Sequence, residues 1–254
     1  MAASAKELDG RVALVTGAGR NIGRAIALEL AAAGAAVVVN ARANAAEAGA
    51  VAGAIVAAGG RAVVALGDVT DEAAVAAMAQ AAVGHFGRLD MLVNNAALRA
   101  ECRLEDLTLA QWRAVTGVIL DGAFLCVKAC LAALRASGAG AIVNIGGLSA
   151  HTGAMHRAHV VTAKAGLLGL TRALAHDLAA DAVTVNCVAP GLIATPRPPG
   201  APEPQHHLTH HSLTGRRGTP ADIAAAVRFL CGPAARHITG QCLEVNGGAH
   251  LGGA

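Results

Sequence analysis

The feature that most constrains the fold is the alternation of short apolar runs with longer alanine-rich windows along the chain. The runs have the length of strands and the windows the length of helices. Strands that alternate with helices form βαβ units, in which the strands are parallel and the helices cover the sheet. Because polar residues rarely interrupt the runs, we expect strands buried on both faces. The predicted strands are 12–17, 35–40, 62–68, 90–95, 141–146, 183–190 and 242–248.

The windows between these strands predict the helices and the overall architecture. No linker or internal repeat separates them, so the 254 residues are expected to form one α/β domain with a doubly wound parallel sheet of about seven strands and helices on both faces. The irregular stretch 196–220 is too long for an ordinary connection and predicts a lid over a site. The predicted helices lie near 21–33, 44–58, 71–86, 109–136, 155–180 and 220–231.

Composition argues against several partners. The net charge is +3 with scattered basic residues, and aromatics make up 2% of the chain, which disfavours nucleic-acid binding. Polar residues break the apolar runs before the ~18 residues of a spanning helix, so no membrane segment is expected.

The six cysteines show no CxxC spacing and predict reduced thiols in a cytoplasmic protein. Cys126 and Cys130 are interpreted as small apolar residues on a buried helix face.

A glycine-rich turn, TGAGRNIG at 16–23, follows the first strand and opens the first helix. Glycines there let the backbone approach a pyrophosphate, and free helix N–H groups bind anions. An NAD site usually has an acid after the second strand, where this chain has Ala41 and Arg42. Two guanidiniums, Arg20 and Arg42, suit a 2′-phosphate, which favours NADP(H) over NAD(H). The alternative is that both arginines face solvent.

This turn resembles the TGxxxGxG motif of the short-chain dehydrogenase/reductase family, with Asn21 in place of the middle glycine. The resemblance extends over residues 10–250 through GDVTD, LVNNAA, NCVAPGLIAT and ITGQCLEVNGG. Asparagine tolerates left-handed backbone, so the turn is expected to survive. The family implies a Rossmann-type NAD(P)-binding domain. The cofactor-binding residues implied are Gly17, Arg20, Asn21, Ile22, Gly23, Arg42, Asp68, Val69, Asn95, Ala96, Lys164, Pro190, Gly191, Ile193 and Thr195.

The same resemblance shows that the usual catalytic residues are replaced. The family reduces a carbonyl with a tyrosine as proton donor, a lysine four residues later, a serine thirteen residues before the tyrosine, and an asparagine on the preceding long helix. Lys164 fits the lysine, whereas Val160, Gly147 and Ile119 stand at the other three positions. The chain contains no tyrosine at all. Any proton donor must therefore be non-standard.

Histidine is the natural substitute because its pKa of about 6.5 permits proton exchange near neutrality. Helical spacing places His156 on the face of positions 160 and 164, while His159 is turned away to pack against a neighbour. His151 and Ser149 follow the fifth strand, where the family lines its substrate pocket. Each of these has a structural alternative as an ordinary hydrogen-bonding side chain.

The segment HHLTHH, 206–211, has histidine pairs at i and i+4 that suit a transition metal if it is helical. Few other ligands are close in sequence, so we expect a polar lid and assign no metal site.

Three functions fit these observations. The first is an NADP(H)-dependent oxidoreductase acting on a carbonyl, alcohol or imine with a displaced proton donor. The second is a catalytically silent subunit that pairs with an active homologue, and the third is a lyase or isomerase on the same fold. A small-molecule substrate and a homo-oligomer, dimer or tetramer, are expected from the family resemblance.

Overall fold

The computed structural model describes residues 6–196, 207 and 210–252. Seven strands form one sheet in the order β3-β2-β1-β4-β5-β6-β7, and every neighbouring pair is parallel. The predicted α/β doubly wound sheet is confirmed. Its strands are β1 (Val12–Val15), β2 (Ala36–Ala41), β3 (Arg61–Leu66), β4 (Met91–Asn94), β5 (Ala141–Ile145), β6 (Thr184–Pro190) and β7 (Cys242–Val245).

Helices connect the strands, and several begin at recognisable caps. The Thr219 side chain accepts the Asp222 N–H in a capping box, and Pro220 occupies the first helical position. A π-helical turn, Gly117–Asp121, joins two helices into one continuous stretch. The helices are α1 (Asn21–Ala32), α2 (Ala45–Ala57), α3 (Glu72–Phe86), α4 (Leu109–Thr116), α5 (Gly122–Ala136), α6 (Ser149–Thr152), α7 (Ala158–Asp177) and α8 (Pro220–Cys231).

Alternate residues of the central strands belong to two apolar clusters, one on each face of the sheet. Val15 and Val37 lie in the cluster covered by α1 and α8, whereas Leu14 and Val38 lie in the cluster covered by α3 and α5. Successive side chains of a strand point to opposite faces, so a sheet with two cores needs uninterrupted apolar strands. The predicted burial is wrong for β3, where Val64 and Leu66 are exposed, and for β7, where Leu243 is exposed, because these two are the edge strands of the sheet.

The stretch Leu109–Ala136 is, by length and composition alone, apolar enough to cross a membrane. This differs from the expectation from sequence that polar residues break every apolar run before the length of a membrane-spanning helix. In the fold, one side of α5 packs into the sheet's second cluster through Cys126, Cys130 and Leu134. The two cysteines are fully buried, as predicted, and burial raises the pKa of the Cys126 thiol to about 12.

The chain reverses its direction of travel across the sheet between β1 and β4. Strands β2 and β3 lie on one side of β1, and the later strands lie on the other. In open α/β sheets this reversal leaves a crevice at the carboxyl ends of the two strands, where ligands bind.

Candidate functional site

Two asparagines hold the glycine turn that follows β1. Asn40, at the end of β2, accepts the Gly17 N–H at 3.1 Å through its side-chain oxygen. Asn95, which follows β4, donates from its amide to the carbonyls of Thr16 and Gly17 at 2.9 and 3.0 Å. The turn is thereby fixed from the neighbouring strands on both sides. Asn40 was not singled out from the sequence, although a polar residue ending a buried apolar strand is a signal for such a role.

Close backbone contacts make Gly23 indispensable to this turn. A Cβ at position 23 would lie 2.2 Å from the Gly17 carbonyl oxygen and 2.5 Å from the Asn95 amide nitrogen. Asn21, the first residue of α1, has a φ of +49°. The expectation that asparagine takes a left-handed conformation there is confirmed. The free N–H groups of the α1 N-terminus therefore lie at the edge of the crevice.

A cleft of about 560 Å³ occupies the carboxyl ends of β1 to β4. It also includes Asn44, Glu47 and Arg99, which were not predicted to bind a cofactor. The glycine turn forms one wall and the segment after β4 forms another. The predicted cofactor residues that line it are Gly17, Arg20, Asn21, Ile22, Gly23, Arg42, Asp68, Val69, Asn95 and Ala96.

The cleft carries charges of both signs. Arg20 and Arg42 line it, as do the carboxylates of Glu47 and Asp68. A hydrogen bond from the Thr70 N–H lowers the pKa of Asp68. Burial raises this pKa, whereas a hydrogen bond from the Thr70 hydroxyl and the charge of Arg42 lower it further. The sequence could have placed Glu47 at the start of α2. Asn44 caps this helix by accepting the Glu47 N–H, and an acid three residues after a cap is typical of a helix start.

Apart from Lys164, which lies in α7, the remaining predicted cofactor residues lie at the end of β6 or just after it. Pro190 ends β6, and Gly191 donates its N–H to the Val245 carbonyl at 3.0 Å. A Cβ on Gly191 would lie 2.5 Å from the Asn246 Cα. Ile193 bridges to Gly218, and Thr195 follows two residues later. These residues lie beyond β6 and do not line the cleft formed by β1 to β4.

Lys164 lies in α7 with its side chain buried beneath the carboxyl end of β5. Its ammonium donates to the Ile145 carbonyl at 2.5 Å. Burial lowers the pKa of Lys164 to about 8, and the charges of Arg99 and Arg157 add to this effect, while Cys187 opposes it. Arg99 also lines the cleft, so one charged side chain of the cleft acts on the pKa of Lys164. A lysine with this pKa exchanges its proton near neutral pH.

Two thiols lie behind Lys164. Cys187 and Cys242 are register partners on β6 and β7. A hydrogen bond from the Cys242 thiol lowers the pKa of Cys187 and raises that of Cys242; the Lys164 charge lowers the Cys187 pKa further. The Cys242 sulfur also lies 3.7 Å from Nε2 of His151. A line of polar groups therefore leads from Lys164 through both thiols to His151.

The two positions predicted from the family resemblance to correspond to the tyrosine and the asparagine lie in an apolar cluster. Val160 and Ile119 are both buried in this cluster, which also contains Val115, Ala163 and Leu167. Ile119 lies within the π-helical turn. Among the described residues, apart from its chain neighbours, no atom lies within 4 Å of the Cβ that Gly147, the predicted serine position, would carry. Within this part of the chain the predicted serine position is therefore open, whereas the predicted tyrosine position is closed by packing.

The helical placement of His156 is wrong. Helix α7 begins at Ala158, and His156 precedes it with a φ of +60°. The spacing of 156, 160 and 164 therefore does not place His156 on the face of Lys164. Its carbonyl instead accepts the Cys102 N–H at 2.7 Å.

The other histidine predictions fare differently. His159 is buried, as expected for a packing residue, and burial lowers its pKa with help from Arg157. His151 and Ser149 lie in α6, directly after the open position 147. Nδ1 of His151 faces the Glu244 carboxylate at 3.9 Å.

Part of the predicted lid lies outside the described residues, namely 197–206, 208 and 209. Of the two histidine pairs in HHLTHH, the pair of His206 with His210 includes a residue outside the described part, whereas His207 and His211 are both described. The later part of the segment contacts the residues after β7, since Ser212 donates to the Gly247 carbonyl at 3.0 Å and Thr214 donates its N–H to the same carbonyl at 3.1 Å. The predicted lid is therefore anchored at its carboxyl end beside β7.

Comparison with known proteins matches nearly the whole chain. Residues 17–250 match the family model described as Enoyl-(Acyl carrier protein) reductase. The 3-oxoacyl-[acyl-carrier-protein] reductase of Synechocystis sp. is 40% identical over 95% of this chain and 97% of the relative. The cis-4-hydroxycyclohexanecarboxylate dehydrogenase of Sinomonas cyclohexanicum is 41% identical over 94% of this chain and 96% of the relative.

Solved structures agree with these matches. A dehydrogenase/reductase from Sinorhizobium meliloti superposes with a TM-score of 0.91 at 36% identity, covering 97% of this chain and 98% of that one. A variant of a Serratia marcescens short-chain dehydrogenase/reductase gives a TM-score of 0.89 at 36% identity, covering 96% of this chain and 99% of the other.

Proposed function

Because the chain belongs to the short-chain dehydrogenase/reductase family of oxidoreductases, which act on carbonyl and alcohol groups, we propose that it transfers hydride between NADP(H) and such a substrate through a non-standard proton donor. The observation that carries this proposal is the cleft at the carboxyl ends of β1 and β4, where the order of the strands reverses. The constrained glycine turn, Arg20 and Arg42 all line this cleft. The proposal includes a single dinucleotide-binding domain over residues 1–254 and assembly into a dimer or tetramer.

The direct test is titration with NADPH and NADH, followed by a substrate panel read at the nicotinamide absorbance band. The activities of the relatives suggest a 3-oxoacyl thioester and a cyclic hydroxy acid as substrates to test. An imine is added because imines are often protonated near neutrality. We expect tighter binding of NADPH and turnover of at least one carbonyl or imine. Failure to bind either dinucleotide would contradict the proposal.

The preference for NADP(H) is argued from the charges that line the cleft. Arg42 directly follows β2 and Arg20 lies in the glycine turn, so two guanidiniums flank the region where an adenosine ribose binds in such folds. Glu47 lines the same cleft and would repel a 2′-phosphate. The cofactor preference therefore depends on the balance between Arg20 and Arg42 and the carboxylates that line the same cleft.

Replacing Arg42 with alanine is expected to weaken NADPH binding by about 10- to 100-fold, because a charge-assisted hydrogen bond contributes roughly 1.5–3 kcal/mol. NADH binding should change by less than about 3-fold. Glu47→Gln should change NADPH affinity in the opposite direction. The measurement is the dissociation constant of each dinucleotide, with Arg113→Ala as the control on an exposed arginine of α4. An equal loss for both dinucleotides would contradict a 2′-phosphate contact.

Lys164 is the proposed proton donor. It already carries a proton that it can exchange near neutrality, since burial lowers its pKa to about 8. Among the other candidates, His156 lies before α7, and His151 is directed toward Glu244 and Cys242; Ser149 lies beside it in α6. Reduction requires the protonated lysine, so we expect its rate to fall as the pH rises above about 8.

Restoring the family's residues tests whether the missing tyrosine limits the rate. The variant Gly147→Ser/Val160→Tyr is expected to reduce carbonyls faster than Gly147→Ser/Val160→Phe by a factor that measures how far Lys164 falls short of a positioned tyrosine, at most the 10²- to 10⁴-fold that a positioned acid contributes. Both variants overpack the cluster around Val160 to a similar extent, at about 1–3 kcal/mol. Single-turnover rates with NADPH measure the difference. Equal rates in the tyrosine and phenylalanine variants would mean that the native donor already suffices.

A silent-subunit role is the second candidate, and one observation favours it. Val160 and Ile119 pack together in a closed apolar cluster, so the tyrosine and asparagine positions present no exchangeable proton. Such a chain would bind NADPH, turn over nothing in the panel, and co-purify with an active homologue. Turnover by the isolated chain that is lost in Lys164→Met excludes this role.

A further inference from the structure

Three potential metal ligands from distant parts of the chain converge beyond the carboxyl ends of β5 and β7. His151 lies in α6, Glu244 lies in β7, and His250 follows β7. One ligand atom from each residue lies within 4.8 Å of the other two. We propose that these three residues bind a divalent transition-metal ion, with Zn²⁺ as the best match. This site does not depend on the proposed oxidoreductase activity.

The spacing suits a zinc ion without rearrangement of the backbone. Nδ1 of His250 lies 2.8 and 3.0 Å from the two Glu244 carboxylate oxygens, and Nδ1 of His151 lies 3.9 Å from one of them. Ligands held ~2.0–2.1 Å from a tetrahedral zinc are about 3.3 Å apart. The separations from Glu244 lie on either side of this value, and no two of the three ligand atoms are more than 4.8 Å apart, so we expect side-chain rotations to bring all three to bonding distance.

The charges also favour a cation at this point. Both imidazoles direct Nδ1 toward the same carboxylate, and their rings lie 5.2 Å apart between centroids. Nδ1 of His250 accepts the Gly252 N–H at 3.2 Å, so in that tautomer it faces the Glu244 carboxylate without a proton, and the 3.9 Å separation from His151 is too long for a hydrogen bond. A divalent ion between the three groups interacts favourably with all of them.

Neighbouring groups orient the ligands in the way metal sites require. Nε2 of His151 faces the Cys242 sulfur at 3.7 Å, which leaves Nδ1 for the ion. The Asn246 amide donates to Glu244 at 2.6 Å and to the His250 carbonyl at 3.1 Å. Such outer contacts fix the tautomer and the rotamer of a ligand. One asparagine thus positions two of the three proposed ligands.

The ligand types indicate which metal binds. Two imidazoles and a carboxylate suit zinc and its neighbours in the transition series, whereas magnesium and calcium prefer oxygen ligands alone. All three side chains are partly exposed, so an ion has access from solvent. Three protein ligands leave a fourth position for water or another small ligand.

Binding would cross-link two parts of the chain. Helix α6 begins two residues after Gly147, and His250 lies in the segment that follows β7. An ion bound only by the folded state stabilises that state by mass action. Zinc is therefore expected to hold α6 and the residues after β7 together and to raise the melting temperature.

The test uses untagged full-length protein stripped of metal with a chelator and titrated with ZnCl₂ by calorimetry. We expect about one ion per chain and a rise in Tm of about 5 °C or more at saturating zinc. MgCl₂ should produce neither effect. Co²⁺ bound in place of zinc should show the visible absorption bands of a tetrahedral cobalt site with nitrogen and oxygen ligands. Absence of zinc binding at 100-fold excess over protein would overturn the proposal.

Two ligand variants and two controls locate the site. Glu244→Gln and His250→Ala should each weaken zinc binding at least ~10-fold, the lower limit known for outer contacts alone. His237→Ala, an exposed histidine, and His210→Ala/His211→Ala should bind as the wild type does. If one ligand variant fails to fold without metal, the other provides the test. Retention of the Tm shift in the ligand variants, or its loss in His210→Ala/His211→Ala, would refute the proposed site.

Discussion

Replacing Lys164 with methionine is expected to lower the rate of carbonyl reduction at least ~100-fold while raising the free energy of unfolding. The loss of rate follows from removing the proposed proton donor. The gain in stability follows from burial, because a charged ammonium at this position is largely withdrawn from water. A methionine fills a similar volume and requires no hydration. Few single substitutions have opposite effects of this size on activity and stability.

The stability gain has a defined dependence on pH. The pKa of Lys164 falls from 10.5 to about 8 in the folded state, so the unfolded state binds more protons between these two values. The stability of the wild type therefore rises with pH across that window. Below about pH 8 the full cost of burying the charge is present, at most about 3 kcal/mol. The advantage of Lys164→Met should be largest at pH 7 and decrease toward pH 10.

Two controls separate proton transfer from charge. Lys164→Arg keeps the positive charge but holds its proton at any accessible pH, so it should be as inactive as the methionine variant and no more stable than the wild type. Lys128→Met removes an exposed lysine of α5 and should change neither quantity. Denaturant unfolding between pH 7 and 10 and single-turnover rates provide the data. Full activity in Lys164→Arg would rule out proton donation by Lys164.

The second large effect is expected at the glycine turn. Gly23→Ala should weaken dinucleotide binding at least ~100-fold, because a Cβ there lies 2.2 Å from the Gly17 carbonyl and must displace the turn that receives the pyrophosphate. The same overlap should lower the free energy of unfolding by about 1–3 kcal/mol. Fluorescence titration with NADPH and denaturant unfolding measure the two effects.

Gly53→Ala is the matched control for this substitution. Gly53 lies in α2 and has no atom within 4 Å of the added Cβ. Alanine is a better helix former than glycine, so this variant should be more stable by about 0.5–1 kcal/mol and bind NADPH normally. If Gly23→Ala behaves like Gly53→Ala, the close approach of α1 to the turn does not hold in solution.

The predictions from local sequence pattern were confirmed for the strands and for the glycine turn. The seven strands were located because each is an apolar run bounded by helical windows, and the left-handed Asn21 was expected from the place of asparagine in the turn. Local pattern failed where the chain departed from regular structure. The helical placement of His156 was wrong because α7 begins at Ala158, two residues after His156, and because His156 itself has a left-handed backbone conformation. The burial of β3 was wrong because a run of residues does not indicate which strand lies at the sheet edge.

The order of the elements, the parallel sheet, the position of the glycine turn and the absence of a tyrosine follow from the amino-acid sequence alone. The folded chain was needed to show how far burial lowers the pKa of Lys164, that Val160 and Ile119 pack in one apolar cluster, and that His151, Glu244 and His250 lie close together. Helical and strand periodicity and turn conformation depend on residues a few positions apart, whereas desolvation, packing and metal-ligand geometry depend on neighbours brought together from distant parts of the chain.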